Sequence, residues 1–109
     1  MIGWRAVCGR VEVVVTDRLG GVSLPPYGEF NLGDHVGDAP EAVATNRARL
    51  AEALQVAPER LVFADQVHGR TVLPVDRSWG PDGPMAADGL VTGVTDLVLG
   101  ALVADCVSV

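Results

Sequence analysis

Residues 38 to 58 read DAPEAVATNRARLAEALQVAP. This stretch decides the fold class, because it holds the one strong helical pattern in a chain otherwise built of short β-branched runs. Asp38 is placed to cap the helix. Pro40 suits an early turn, where its missing N–H costs nothing, and Glu41, three residues after Asp38, gives a start resembling a capping box. Val43, Leu50, Ala51 and Leu54 fall on one face at helical spacing, with Arg47, Arg49 and Glu52 largely elsewhere. Pro58 closes the pattern. Before the helix, Val11–Thr16 (VEVVVT) is a strand by composition. After it, residues 61–67 (LVFADQV) and 71–75 (TVLPV) read as two strands around His68 and Gly69. Residues 88–95 are ambiguous, since Gly89 and Gly93 break short apolar pieces. Residues 97–103 predict a buried strand that delivers Asp105 and Cys106 at its end. Residues 17–30 and 77–87, rich in Gly and Pro, predict loops, and the first is long enough to suggest a functional one. Mixed strands with one good helix predict an α+β class, a layered mixed β-sheet with packed helices.

The composition bounds the function. With 109 residues, 49% hydrophobic and 20% charged, the chain has the balance of one globular domain with a core. A net charge of −6 argues against nucleic acid as a partner, because phosphate backbones are bound through basic surface. No apolar run reaches the roughly 18 residues of a membrane span. Residues 1–10 lack a basic segment followed by an apolar one, so the expectation is no secretory leader and a reducing cytoplasm. Two distant cysteines make no disulfide framework. Residues 97–109, LVLGALVADCVSV, stay apolar to the last, which predicts that residues 1–109 are the front portion of a single larger domain, truncated at its C-terminus. The alternative is a short protein that buries its last strand, for example in a dimer. The sequence does not fix the oligomeric state.

Few residues can carry metal or nucleophilic chemistry: His35, His68, Cys8 and Cys106. His68 stands where an apolar strand meets a glycine, in Gln66-Val67-His68-Gly69, and a strand end leaves side chains facing a cleft. Taken alone it also reads as a half-buried, satisfied histidine. Cys106 follows a strand and Asp105, and taken alone it also reads as an inert core thiol. Together they offer imidazole and thiolate, two of the three protein ligands of a catalytic zinc site. A third would come from His35, from Cys8 or from beyond Val109. His35, among glycines and carboxylates, reads more simply as a solvated loop residue. Arg18, beside Gly20, Gly21 and Ser23, can hold an oxyanion by its guanidinium and by neighbouring backbone N–H groups, or it is a surface arginine in a turn. No phosphate-binding glycine motif of the P-loop or dinucleotide type occurs.

At these segments the sequence resembles the laccase-domain family, first described as multicopper polyphenol oxidases and now regarded as zinc-dependent purine nucleoside phosphorylases. The matching pieces are Thr16 to Ser23 (TDRLGGVS), Pro26-Tyr27, Asn31-Leu32-Gly33 with His35 to Asp38, Asn46-Arg47 with Leu50, Gln66-Val67-His68-Gly69 and Ala104-Asp105-Cys106-Val107. Ser108 departs from the family's usual proline. The resemblance implies metal ligands at His68 and Cys106, with a third histidine in a later motif that has no counterpart here. It implies phosphorolysis of adenosine, inosine and methylthioadenosine to free base and ribose 1-phosphate, with some adenosine deamination. It points to Arg18, Ser23 and Asn31 as substrate-binding positions. The 109 residues alone are then expected to be catalytically inactive or feeble. Two other readings stay open: a copper-dependent phenol oxidase, poorly served by two histidines, and a metal-free hydrolase with Cys106 as nucleophile and His68 as base. An inert binding or assembly module is a third.

Overall fold

A computed structural model describes residues 1–77 and 84–103. The chain forms two compact units whose boundary falls between Leu50 and Ala51, inside the helix. The elements are β1 (Ile2–Cys8), β2 (Val11–Thr16), α1 (Pro40–Leu54), a 3-10 turn (Pro58–Arg60), β3 (Leu61–Phe63), β4 (Val72–Pro74), β5 (Gly89–Val91) and β6 (Val98–Gly100). Mixed strands and one α-helix make the class α+β, as the sequence predicts. The strands pair two by two, however: β1 with β2 antiparallel, β3 with β6 parallel and β4 with β5 parallel. Among the described residues they do not merge into one layered sheet.

In the first unit, β1 and β2 close a hairpin at Cys8 and Val11, with Gly9 at φ +61° in the turn. The register puts Trp4 opposite Val15, Ala6 opposite Val13 and Cys8 opposite Val11. Directly opposed residues share a face, so one face of the hairpin is apolar, and Trp4, Val11, Val13 and Val15 on it are exposed. The other face carries the Arg5–Glu12 ion pair at 2.7 Å, an exposed pair of the kind that adds little stability. A long loop follows and leads into α1.

The expected helix face is buried at Val43, Leu50 and Ala51 and half-buried at Leu54. The start differs from expectation. Ala39, not Asp38, takes the capping position, its carbonyl accepting from the Ala42 and Val43 N–H groups. Asp38 lies one residue earlier. Its Oδ1 accepts from the Ala39 N–H at 2.8 Å, and its Oδ2 accepts from the Ser23 hydroxyl at 2.6 Å and the Asn31 amide at 3.2 Å. The carboxylate is drawn to the loop's donors because hydrogen bonds to an ionised acceptor are the stronger ones. The helix ends at a left-handed Gln55 (φ +59°), with Val56 N–H returning to the Ala51 carbonyl, a closing turn that satisfies an orphan carbonyl.

The second unit has shorter strands than the sequence suggests. The expected strand 61–67 stops at Phe63, and 71–75 contracts to Val72–Pro74. The ambiguous stretch 88–95 contributes Gly89–Val91. The expected buried strand 97–103 is Val98–Gly100, half-buried, with Val103 exposed. Val62, Val75 and Ala87 are buried. Gly100 lies against the Phe63 ring so closely that no Cβ fits there, which explains a glycine in the middle of an apolar run. No helix among the described residues is long and apolar enough to cross a membrane.

Candidate functional site

Two loops, one in each unit, carry the predicted site residues other than Cys106. The first, residues 17–38, is organised around Asn46, a fully buried polar side chain on the apolar stripe of α1. Its Oδ1 accepts from the Val22 N–H at 2.9 Å. Its amide donates to Ser23 Oγ at 2.9 Å, to the Asn31 carbonyl at 2.8 Å and to the Glu29 carbonyl at 3.2 Å. Arg47 Nε donates to the Leu32 carbonyl, and Arg49 to that of Gly20, both at 2.8 Å. Burial pulls the Arg47 guanidinium down from its ordinary value, with Asp34 opposing. Gly21 crosses the Glu29–Phe30 backbone where a Cβ would collide with it, so only glycine suits the crossing.

Within this loop the backbone donors meant for an oxyanion are engaged. Leu19 N–H donates to Asp17, Gly20 N–H to the Glu29 carboxylate, Val22 N–H to Asn46 and Ser23 N–H to the Glu29 carbonyl. Four of the backbone N–H groups expected to cradle an oxyanion beside Arg18 are thus bonded to internal acceptors. Ser23 is buried, with its hydroxyl between Asp38 and Asn46, and Asn31 is tied to Asp38 and to Gly33. Arg18 keeps an exposed side chain, while its carbonyl accepts from Glu29 and Phe30. The Ser23 hydroxyl chiefly holds Asp38 below its ordinary value of 3.8, against a burial effect that opposes it, with Asn31 and Ala39 adding to the lowering. His35 is exposed, 3.9 Å from Asp34, as a solvated loop residue. Cys8 is an exposed free thiol at the end of β1.

The second loop, residues 66–71, presents His68. Its φ is +58°, a left-handed conformation uncommon outside glycine, and it is exposed. Beneath it stands Asp88. One carboxylate oxygen accepts from the Val67 N–H at 3.1 Å. The other is buried over Gly69, where a Cβ would sit 3.3 Å from it. Burial pushes the Asp88 carboxyl up, and the amides of Gly69, Val67, Thr71 and His68 outweigh it, leaving the group below 3.8. The Asp88 and Gly89 N–H groups both donate to the Thr71 carbonyl, at 2.8 and 3.0 Å. A cleft of about 180 Å³ lies beside it, lined by Ala64, Gln66, Asp88, Leu90, Leu99 and Ala101.

Cys106 lies outside the described residues. Two observations bear on its approach. Parallel pairing of β3 with β6 aligns Leu61 with Val98 and Phe63 with Gly100, so both strands run out at the same end. Beyond them, Gln66 Nε2 donates to the Leu102 carbonyl at 3.0 Å. Among the described residues no cluster of three or more His, Cys, Asp or Glu side chains is poised for a metal ion.

Sequence reasoning passed over Asp88, and it quoted Asn46 within a matching segment without giving it a role. Asn46 stands three residues after Val43 and four before Leu50, on the apolar stripe, where a polar side chain must be hydrogen-bonded. Asp88 carries no comparable mark in the sequence.

Residues 12–109 match the family described as multi-copper polyphenol oxidoreductase laccase, and the chain belongs to it. It is 50% identical over 101 residues to a purine nucleoside phosphorylase of Corynebacterium glutamicum, covering 91% of this chain and 41% of that protein. It is 52% identical over 102 residues to one of Mycobacterium tuberculosis, covering 92% and 40%. A crystal structure of a Neisseria meningitidis protein superposes with a TM-score of 0.81 at 30% identity, over 94% of this chain and 42% of that one. YlmD from Geobacillus stearothermophilus gives 0.71 at 36%, over 79% and 34%. The chain thus spans about two fifths of the length of these curated relatives.

Proposed function

We propose that this chain is part of a metal-dependent purine nucleoside phosphorylase. It takes adenosine, inosine or methylthioadenosine with phosphate to free base and ribose 1-phosphate, with adenosine deamination as a side activity. The observation that carries this reading is the parallel β3–β6 pair with the Gln66–Leu102 hydrogen bond, which sets the segment before His68 beside the one leading to Cys106. Relatives named for the same activity support it.

The donor chemistry suits zinc: an imidazole on an exposed turn and a thiol are ligands this cation favours. Among the described residues no cluster of three or more candidate ligands stands ready-made. The family's description names copper, but two histidines in 109 residues are few for a multicopper cluster. When bound, the cation supplies Lewis acidity and a fixed positive charge. The chain's own residues do the rest. His68 offers a nitrogen lone pair from a backbone held by Asp88. The exposed Arg18 guanidinium pairs with phosphate oxygens. Ser23 and Asn31 serve substrate binding by shaping the loop that carries Arg18. We place the activity in the cytoplasm.

The test is phosphate-dependent release of base from adenosine by a protein of the relatives' full length carrying this chain. His68→Ala and Cys106→Ala are each expected to lose activity at least about 100-fold and to lose bound zinc. Turnover retained in both overturns the reading, and turnover that survives strong chelation points instead to a Cys106 nucleophile with His68 as base. The 109 residues alone are expected to turn over nucleoside feebly or not at all.

A further inference from the structure

The His68 turn poses a physical question: what keeps a non-glycine residue in the left-handed region on an exposed loop? A residue in that conformation is disfavoured, and it persists only where the surroundings impose it. Short strands and exposed neighbours impose little. Residues 65–72 are exposed throughout except for the backbone groups that reach inward. The group that meets those is the Asp88 carboxylate. It accepts from Val67 on one side of His68 and lies against the Gly69 backbone on the other. The Asp88 and Gly89 N–H groups clamp the Thr71 carbonyl, where the loop ends. Asp88 is itself anchored. Its neighbour Ala87 is buried, and the Ala87 N–H donates to the Asp65 carbonyl, while the Asp65 N–H donates to that of Met85.

We infer that Asp88 is a positioning residue: its carboxylate fixes the backbone turn that aims the His68 imidazole, without touching substrate or cation. The assignment of a ligand role to His68 rests on the function proposed above; the hold of Asp88 on the turn does not. A carboxylate is the side chain suited to this task, since it carries several acceptor positions and converging N–H groups need a concentrated negative charge to balance them. Gly69 fits the same logic, since a side chain there would press on the buried Asp88 oxygen.

The experiment compares wild type, Asp88→Ala, Asp88→Asn, His68→Ala and Asp88→Ala/His68→Ala in the full 109-residue chain. Two quantities are read: amide hydrogen exchange residue by residue, and the dissociation constant of Zn²⁺ alone by chelator competition. Asp88→Ala is expected to speed exchange at Val67 and Gly69 at least about 10-fold while the amides of Val43 and Asn46 in α1 keep their rates. Asp88→Asn, which retains one acceptor oxygen, is expected to recover part of the protection. Zinc binding is expected to weaken about 10- to 100-fold in Asp88→Ala, the usual range for a residue supporting a ligand, and not to weaken further when Asp88→Ala is added to His68→Ala. Unchanged exchange at Val67 and Gly69 overturns the proposal. So does a further loss of zinc in the double variant, which would make Asp88 a ligand. If His68→Ala binds zinc as wild type does, the metal reading falls, and the hold on the turn is decided by exchange alone.

Discussion

The loop of residues 17–38 and the turn of residues 66–71 each meet a side chain that gathers backbone groups, and they use it to opposite ends. In the first, Asn46 is buried and gathers one N–H, two carbonyls and the Ser23 hydroxyl, while Asp38 draws in Ser23 and Asn31. The polar side chains are consumed in holding the loop's own shape. In the second, Asp88 gathers backbone, and the His68 imidazole is left exposed. The lesson is that a polar residue in a glycine-rich loop is not by that fact a binding group. What matters is whether its polar atoms are engaged inside the fold or left facing water.

The sharpest way to break the contrast is to remove Asn46. Asn46→Ala strands a buried N–H and several acceptors, and each unsatisfied buried group costs roughly 1–3 kcal/mol. A loss of about 3 kcal/mol is expected in urea unfolding followed by circular dichroism. A loss below about 1 kcal/mol would mean that water replaces the amide and the loop is not organised from within. On the other side of the contrast, His68→Gly relieves the left-handed conformation and is expected to leave stability unchanged or raise it by up to about 1 kcal/mol. On the ligand role proposed for His68, the same variant is expected to weaken zinc binding as His68→Ala does. Destabilisation by that substitution would show that the imidazole packs as well as points.

Acid titration gives the smallest and most diagnostic effect. Asp38 is held below 3.8 chiefly by the Ser23 hydroxyl, so its folded value lies under its unfolded one. The stability it contributes is complete above pH 3.8 and is lost as the pH falls through the folded value. The urea midpoint is therefore expected to drop between about pH 5 and pH 2, with a shallower drop in Asp38→Asn. An equal slope in that variant would remove Asp38 from the network.

Much of this was legible in the residues themselves. The helix, the Val11–Thr16 strand and the His68 loop follow from periodicity, β-branching and glycine placement, because those patterns act over a few neighbouring positions. The cap was misread because the partners of Asp38 sit seven and fifteen residues away, at Asn31 and Ser23. No local rule sees such partners. The strands of the second unit were read too long for a related reason: apolar residues continue past Phe63, but the Asp65 N–H and carbonyl pair with the segment around Met85 and Ala87 instead of extending the β3–β6 ladder. Asp88 was invisible for the same cause, since its partners are the amides of a loop some twenty residues earlier in the chain.

The β1–β2 hairpin adds a consequence of a colloidal kind. Trp4, Val11, Val13 and Val15 form a continuous greasy stripe facing water, and such a stripe binds apolar dyes and adheres to other surfaces of its own kind. With so acidic a chain, mutual repulsion between molecules opposes that adhesion and weakens as salt screens it. Raising the ionic strength is therefore expected to shorten the time this chain stays dispersed.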